Sequence, residues 1–203
     1  MKLYYSPGAS SLATHIVLRH CGIDCELVKV NLRKAKLADG SDYLSIHPLG
    51  EVPLLQLDDA QTLSECGVIL QYLGDQAKDT SLMPVAGSLA RYQQMSWLNF
   101  IATEIHKNFS ILFNPHMPEE AKVIARTNLS KRMDFLSIIL EQHDYLMENT
   151  FTAADAYLFT TLRWSEHCGI ALEQWPIMAT YRERLAALPA IDTAMRVEGL
   201  IRQ

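Results

Sequence analysis

Apolar positions along the chain follow two rhythms. Over residues 1–78 they come in short runs separated by turn residues. Leu3-Tyr4-Tyr5, stopped by Ser6-Pro7-Gly8, reads as a strand and a turn. Leu12, Ile16 and Leu18 then recur at helical spacing behind Ser10 and Ser11, which can cap the helix, and Gly22 ends it. Residues 26–30 read as a second strand and the polar stretch 33–45 as a short irregular helix. Residues 52–57 form a third strand with Pro53 near its start, and Thr62-Leu63 a brief fourth. Ser64 caps a helix through Val68, Ile69, Tyr72 and Leu73. This order predicts a small mixed sheet with helices packed on it.

Residues 79–87, with Met83-Pro84 and Gly87, read as a linker. From 88 to 203 the pattern is helical throughout. One long helix is predicted over 88–112 and a second over 119–147, parted by Pro115 and Pro118. Thr152-Ala153-Ala154-Asp155 has capping-box spacing and should open a helix through Tyr157, Leu158 and Leu162. Two shorter helices, over 178–188 and 191–198, complete the all-helical half.

Composition narrows the function classes. Of 203 residues, 49% are hydrophobic and 20% charged, which excludes a disordered chain. Lys+Arg 18 against Asp+Glu 23, a net charge of −5 without a basic cluster, argues against a nucleic-acid binder. No signal-peptide core or membrane-length apolar run is present, so a cytoplasmic protein without a membrane partner is expected. The four cysteines, Cys21, Cys25, Cys66 and Cys168, are scattered and suggest neither a disulfide framework nor a metal site.

Five places could carry chemistry. Val52-Pro53 precedes a strand; a trans proline is the plain reading, whereas a cis bond would free Val52 backbone groups to pair with an extended peptide. Glu65 and the helix start at Cys66 combine a carboxylate with unpaired amides, a pair suited to an ammonium and a carboxylate on one ligand, although on residues alone the plainer reading is that Glu65 merely favours the first helical turn. Ser10 and Ser11 stand at another helix start and could donate to a thiolate, or merely cap. Asn99, Thr103 and His106, spaced i, i+4, i+7 beside Lys107, form a polar stripe: a solvated edge, a buried network or a cleft wall. Trp164 and His167 are an i, i+3 pair for which core packing with a rim histidine is the default.

Together these strings resemble a glutathione transferase over essentially the whole chain, and the bacterial beta-class type in particular. The resemblance rests on Lys2-Leu3-Tyr4-Tyr5-x-Pro7-Gly8, Asn31-Leu32, Pro48-x-Gly50-x-Val52-Pro53-x-Leu55, and Glu65 followed by Gln71-Tyr72-Leu73. It extends through Trp97-Leu98-Asn99-Phe100, Glu104-x-His106-Lys107 and Phe151-Thr152-x-Ala154-Asp155-Ala156-Tyr157-Leu158-Phe159. It implies a thioredoxin-like α/β domain over 1–78 and an all-helical domain over 88–203. It also implies a cis Val52-Pro53 pairing with glutathione, with the γ-glutamyl end held by Glu65 and the helix start at Cys66. Asn99, Thr103, His106 and Lys107 would reach the tripeptide from the helical domain, while Tyr5, Trp164 and His167 would serve the electrophile. The implied reaction joins the glutathione thiolate to a small hydrophobic electrophile. Glutathione is its co-substrate, no other cofactor is needed, and the assembly is a homodimer.

Three positions depart from the beta-class pattern. Ser10 stands where a cysteine is usual, so no mixed disulfide with glutathione can form there. The thiolate would then rely on Ser10, Ser11 or His106, with Tyr5 as the next donor. Ala35 replaces a basic residue, for which Lys34 or Lys36 could substitute. Cys66 replaces a small Ser or Gly at a helix start, where a thiol could ionise and support thiol reductase chemistry instead. The losses at positions 10 and 35 equally suit a binding or stress protein that kept the fold without the catalysis.

Overall fold

The computed structural model describes residues 1–77 and 81–201. The expected domain boundary at 78 and the first two linker positions, Asp79 and Thr80, lie outside the described residues. Two compact units emerge: Met1–Asp79 together with Pro189–Gln203, and Thr80–Leu188.

The first unit is built on a five-stranded sheet: β1 (Lys2–Tyr5), β2 (Glu26–Asn31), β3 (Lys36–Leu37), β4 (Leu54–Gln56) and β5 (Thr62–Leu63), in the order β3-β2-β1-β4-β5. β1 and β2 are parallel, and every other pairing is antiparallel. Register explains why the short runs belong together. Leu3 lies opposite Leu27 and Leu55, and Tyr4 opposite Val28 and Leu54, so alternate residues supply two apolar faces. Tyr4, Val30, Leu54 and Tyr43 cluster on one face. Against that cluster the predicted irregular helix over 33–45 gives way to β3 and a 3₁₀ turn at Tyr43–Ser45, because burying Tyr43 ties this stretch to the sheet.

Three helices complete this unit: α1 (Ser11–Cys21), α2 (Cys66–Gln76) and, from the far end of the chain, α9 (Pro189–Val197). α1 ends at Gly22, whose φ of 63° closes the helix in the left-handed conformation. The closing helix, expected within a helical domain over 88–203, groups with the first unit because it packs on α1.

The second unit is all helical: α3 (Leu89–Phe100), α4 (Lys107–Phe113), α5 (Glu119–Leu140), α6 (Ala153–Leu162), α7 (Ser165–Cys168) and α8 (Pro176–Ala186). Every residue of α6 is buried, and α3 and α8 pack against it. The predicted capping box opens α6: Asp155 Oδ2 accepts the Thr152 amide at 2.8 Å and the Thr152 hydroxyl at 2.7 Å. Two helices differ from expectation. α5 stops at Leu140 rather than 147, because the Leu146 amide is donated to Asp155 (2.9 Å) and the Tyr145 amide to the Glu148 carbonyl (2.8 Å). The helix predicted over 88–112 contains a π-helical segment, Ile101–His106, between α3 and α4.

Candidate functional site

Three expected residues meet at the helix starts of the first unit. Ser10 precedes α1, but its backbone is already helical and its hydroxyl makes no cap. The hydroxyl donates instead to the Val52 carbonyl at 2.8 Å. The Val52-Pro53 peptide is cis, as the resemblance implies and contrary to the plain reading of the dipeptide. The Cys66 thiol donates to the Ser10 carbonyl at 3.6 Å. Ser10 thus links the loop before β4 to the starts of α1 and α2.

Glu65, not Ser64, immediately precedes α2, with φ 67° and ψ 114° and no side-chain cap. Its carbonyl accepts the Val68 and Ile69 amides at 3.0 Å each. The Cys66 and Gly67 amides therefore precede the first intrahelical bond, and the Glu65 side chain is exposed beside them. Such an arrangement can hold a carboxylate on the amides and an ammonium on Glu65.

Two expected roles are corrected. Cys66 is buried, and desolvation pushes its thiol well above the ordinary cysteine range. Burial outweighs the helix start, so Cys66 is not an ionised, exposed nucleophile. Ser11 is fully buried and exchanges bonds with the backbone of Ser6, donating to its carbonyl and accepting its amide, both at 3.2 Å. Its hydroxyl closes the turn after β1 and is not presented to a ligand.

Tyr5 lies in β1 with its ring centroid 6.3 Å from that of His15. Burial, reinforced by Glu198, raises its phenol above the usual value. Sequence reasoning missed the group behind it. His15 Nδ1 pairs with Glu198 Oε1 at 3.0 Å, Glu198 Oε2 accepts the Gly8 amide at 2.9 Å, and Arg19 Nε donates to His15 Nε2 at 3.2 Å. On the loop after β2, Ala35 has φ 49°, Lys34 is exposed, and Lys36 lies 3.8 Å from Asp42.

In the second unit, Asn99 lies in the last turn of α3 and Thr103 on the π segment; both are exposed, and the Thr103 hydroxyl donates to the Asn99 carbonyl at 3.0 Å. A π turn holds more residues than an α turn, so α-helical spacing does not fix one shared face here. His106 turns inward, where its Nδ1 pairs with the Tyr157 hydroxyl at 2.7 Å. Its ring centroid lies 4.8 Å from that of Trp164, which is braced edge-on by Phe109 and Phe113. Burial, with the charge of Lys107 beside it, lowers the His106 imidazole to about 4. Lys107 is exposed. His167 is exposed too, and joins Trp164 through its backbone amide, at 3.1 Å from the Trp164 carbonyl. Among the described residues no group of three or more His, Cys, Asp or Glu could hold a metal ion, and no helix is long and apolar enough to cross a membrane.

Known proteins share this arrangement of elements. The family profile for the glutathione S-transferase N-terminal domain matches residues 1–75, and that for the C-terminal domain matches residues 100–189. The glutathione S-transferase GstA of Escherichia coli O157:H7 is 44% identical over 200 residues, covering 98% of this chain and 100% of the relative. The chain belongs to the glutathione S-transferase family. Within that family, a sphingomonad glutathione S-transferase solved in complex with glutathione is 41% identical. It superposes with a TM-score of 0.94 over 99% of this chain and 100% of its own. A bacterial beta class glutathione S-transferase of Sphingomonas chungbukensis matches at 41% identity and a TM-score of 0.95, with the same coverage. The family fold is thus the expected one: a thioredoxin-like α/β unit and a helical unit.

Proposed function

We propose that this protein is a glutathione transferase of the beta-class type, joining the glutathione thiolate to small hydrophobic electrophiles. The observation that carries the reading is the meeting of Ser10, the cis Val52-Pro53 peptide and the Glu65–Cys66 helix start in one unit. Val52 offers backbone groups to the cysteinyl part of glutathione. Glu65 takes the ammonium, and the amides of Cys66 and Gly67 take the γ-glutamyl carboxylate. Lys34 is the better replacement for a basic residue at Ala35, since Lys36 faces Asp42. The family resemblance assigns Asn99, Thr103, His106 and Lys107 to glutathione, and Tyr5, Trp164 and His167 to the electrophile. Kinship with transferases, including one solved with glutathione, supports this assignment.

The protein's contribution is to ionise the thiol and align the sulfur for attack. Ser10 supplies a hydroxyl that turns from the Val52 carbonyl to the sulfur, assisted by the start of α1. With serine at position 10 and Cys66 buried, disulfide exchange through either residue is not part of the mechanism. A homodimer, implied by the family, agrees with the exposed apolar residues Leu89, Tyr92, Ile124 and Ile138 of the helical unit.

Retention on immobilised glutathione, followed by turnover of a chloronitrobenzene, tests the reading. Wild type should bind and turn over. Because the Ser10 proton exchanges one acceptor for another, Ser10→Ala should lower kcat only about tenfold, below the loss typical of a dedicated oxyanion donor. Binding without turnover across several electrophiles would overturn the enzymatic reading in favour of a binding protein.

A further inference from the structure

His106 is held more firmly than a ligand-contacting side chain on a solvated stripe would need to be. Its Nδ1 lies 2.7 Å from the Tyr157 hydroxyl, with the two rings perpendicular. Trp164 packs against the same imidazole at 4.8 Å and is itself wedged by Phe109 and Phe113. Tyr157 comes from α6, whose residues are all buried, and is only 2% exposed. The π segment that carries His106 breaks the α-helical phase between α3 and α4 at this place. Backbone irregularity, an aromatic clamp and a buried phenol therefore converge on one imidazole.

Chemistry assigns the proton in this pair. A phenol is a far stronger acid than a neutral imidazole N–H, and an imine-type ring nitrogen is a better acceptor than a phenol oxygen. The Tyr157 hydroxyl therefore donates to Nδ1, and the neutral ring carries its own proton on Nε2. We propose that Tyr157 is a positioning residue for the transferase reaction: by donating to Nδ1 it makes His106 an Nε2–H donor, oriented to receive negative charge. The inference rests on the transferase reading above and adds to it the partner, the tautomer and the direction of the hydrogen bond. Burial and Lys107 keep the imidazole neutral above about pH 5, so it donates without first needing a proton. Transferase chemistry develops negative charge, on sulfur or on a nitroaromatic electrophile during attack, and either calls for a donor of this kind.

The first test needs no variant. Nitrogen-15 spectra of wild type, with the His106 signals identified by their loss in His106→Ala, should show a pyridine-like Nδ1 and a pyrrole-like Nε2 at neutral pH. Tyr157→Phe should then mix the two tautomers and lower kcat about five- to twentyfold, with KM for glutathione nearly unchanged. In a His106→Ala background the same substitution should leave kcat unaltered, because its effect passes through the imidazole. A pyrrole-like Nδ1 in wild type overturns the proposal. So does a Tyr157→Phe loss that persists in full without His106, the signature of a general packing role. A wild type that turns over no electrophile removes the reaction itself. It is told apart from those outcomes because the nitrogen spectra still report the tautomer.

Discussion

Glu65 holds φ 67° with ψ 114°, a combination that costs an L-residue on the order of 1–3 kcal/mol and that glycine adopts freely. A carboxylate at such a place suits the ligand role proposed for Glu65 better than a stabilising one. Glu65→Gly should relieve the strain, less the extra chain entropy of glycine, for a net gain of about 1 kcal/mol. For a chain of this length that raises the melting temperature by roughly 2–4 °C. Retention on immobilised glutathione should disappear in the same variant, while Glu65→Gln should melt as wild type and bind weakly. A glycine variant that melts lower would show that the Glu65 side chain has a structural role. The helix start and the carboxylate beside it were legible in the sequence because both are local features. The fate of Cys66 was not, because the burial that silences its thiol comes from tertiary packing, which brings its Sγ to the Ser10 carbonyl 56 positions away. Ser10 and Ser11 look equivalent as a dipeptide, and only their partners, Val52 and Ser6, separate them.

At the scale of elements, period and capping chemistry located most helices and strands, and the errors fall where a distant partner overrides local preference. α5 is cut short by a carboxylate on the next helix, and β3 replaces a predicted helix because Tyr43 is buried against Tyr4 and Leu54. Asp155 shows how much one such residue organises. It is fully buried and accepts from the Thr152 amide, the Thr152 hydroxyl, the Leu146 amide and, at 2.7 Å, the Tyr181 hydroxyl. Burial raises its carboxyl even though each of these bonds pulls the other way. Removing it strands several buried donors, so Asp155→Ala should cost on the order of 3–5 kcal/mol. Asp155→Asn retains one acceptor oxygen and should lose about 1–3 kcal/mol. Denaturant titrations measure both, and equal losses would show that space-filling, rather than acceptor capacity, is what α6 takes from this side chain.

At the scale of the whole chain, the last helix completes the first unit. The chain leaves the first unit after residue 79 and returns to it at Pro189, so that unit is complete only when the final segment is in place. Periodicity identified α9 as a helix but could not say where it packs, since both units offer apolar faces. What fixes it is Glu198, whose carboxylate is buried and joins Gly8 to His15 across 190 and 183 positions of sequence. The Gly8 amide lies two residues before Ser10, so the same carboxylate steadies the loop that delivers the proposed thiolate donor. Glu198→Ala removes one acceptor from the half-buried Gly8 amide and from the buried His15 imidazole, at a cost of about 3 kcal/mol or a drop of roughly 6–12 °C in melting temperature. Glu198→Gln keeps a carbonyl oxygen for one of the two donors and should fall about midway. Activity should follow stability only in part: at a temperature where all three forms are folded, the alanine variant should still show a lower kcat, because its Gly8–Ser10 loop is released. An alanine variant that melts within 1 °C of wild type would mean that α9 is held to the sheet unit by apolar packing alone, with the Arg19–His15–Glu198 series contributing nothing measurable.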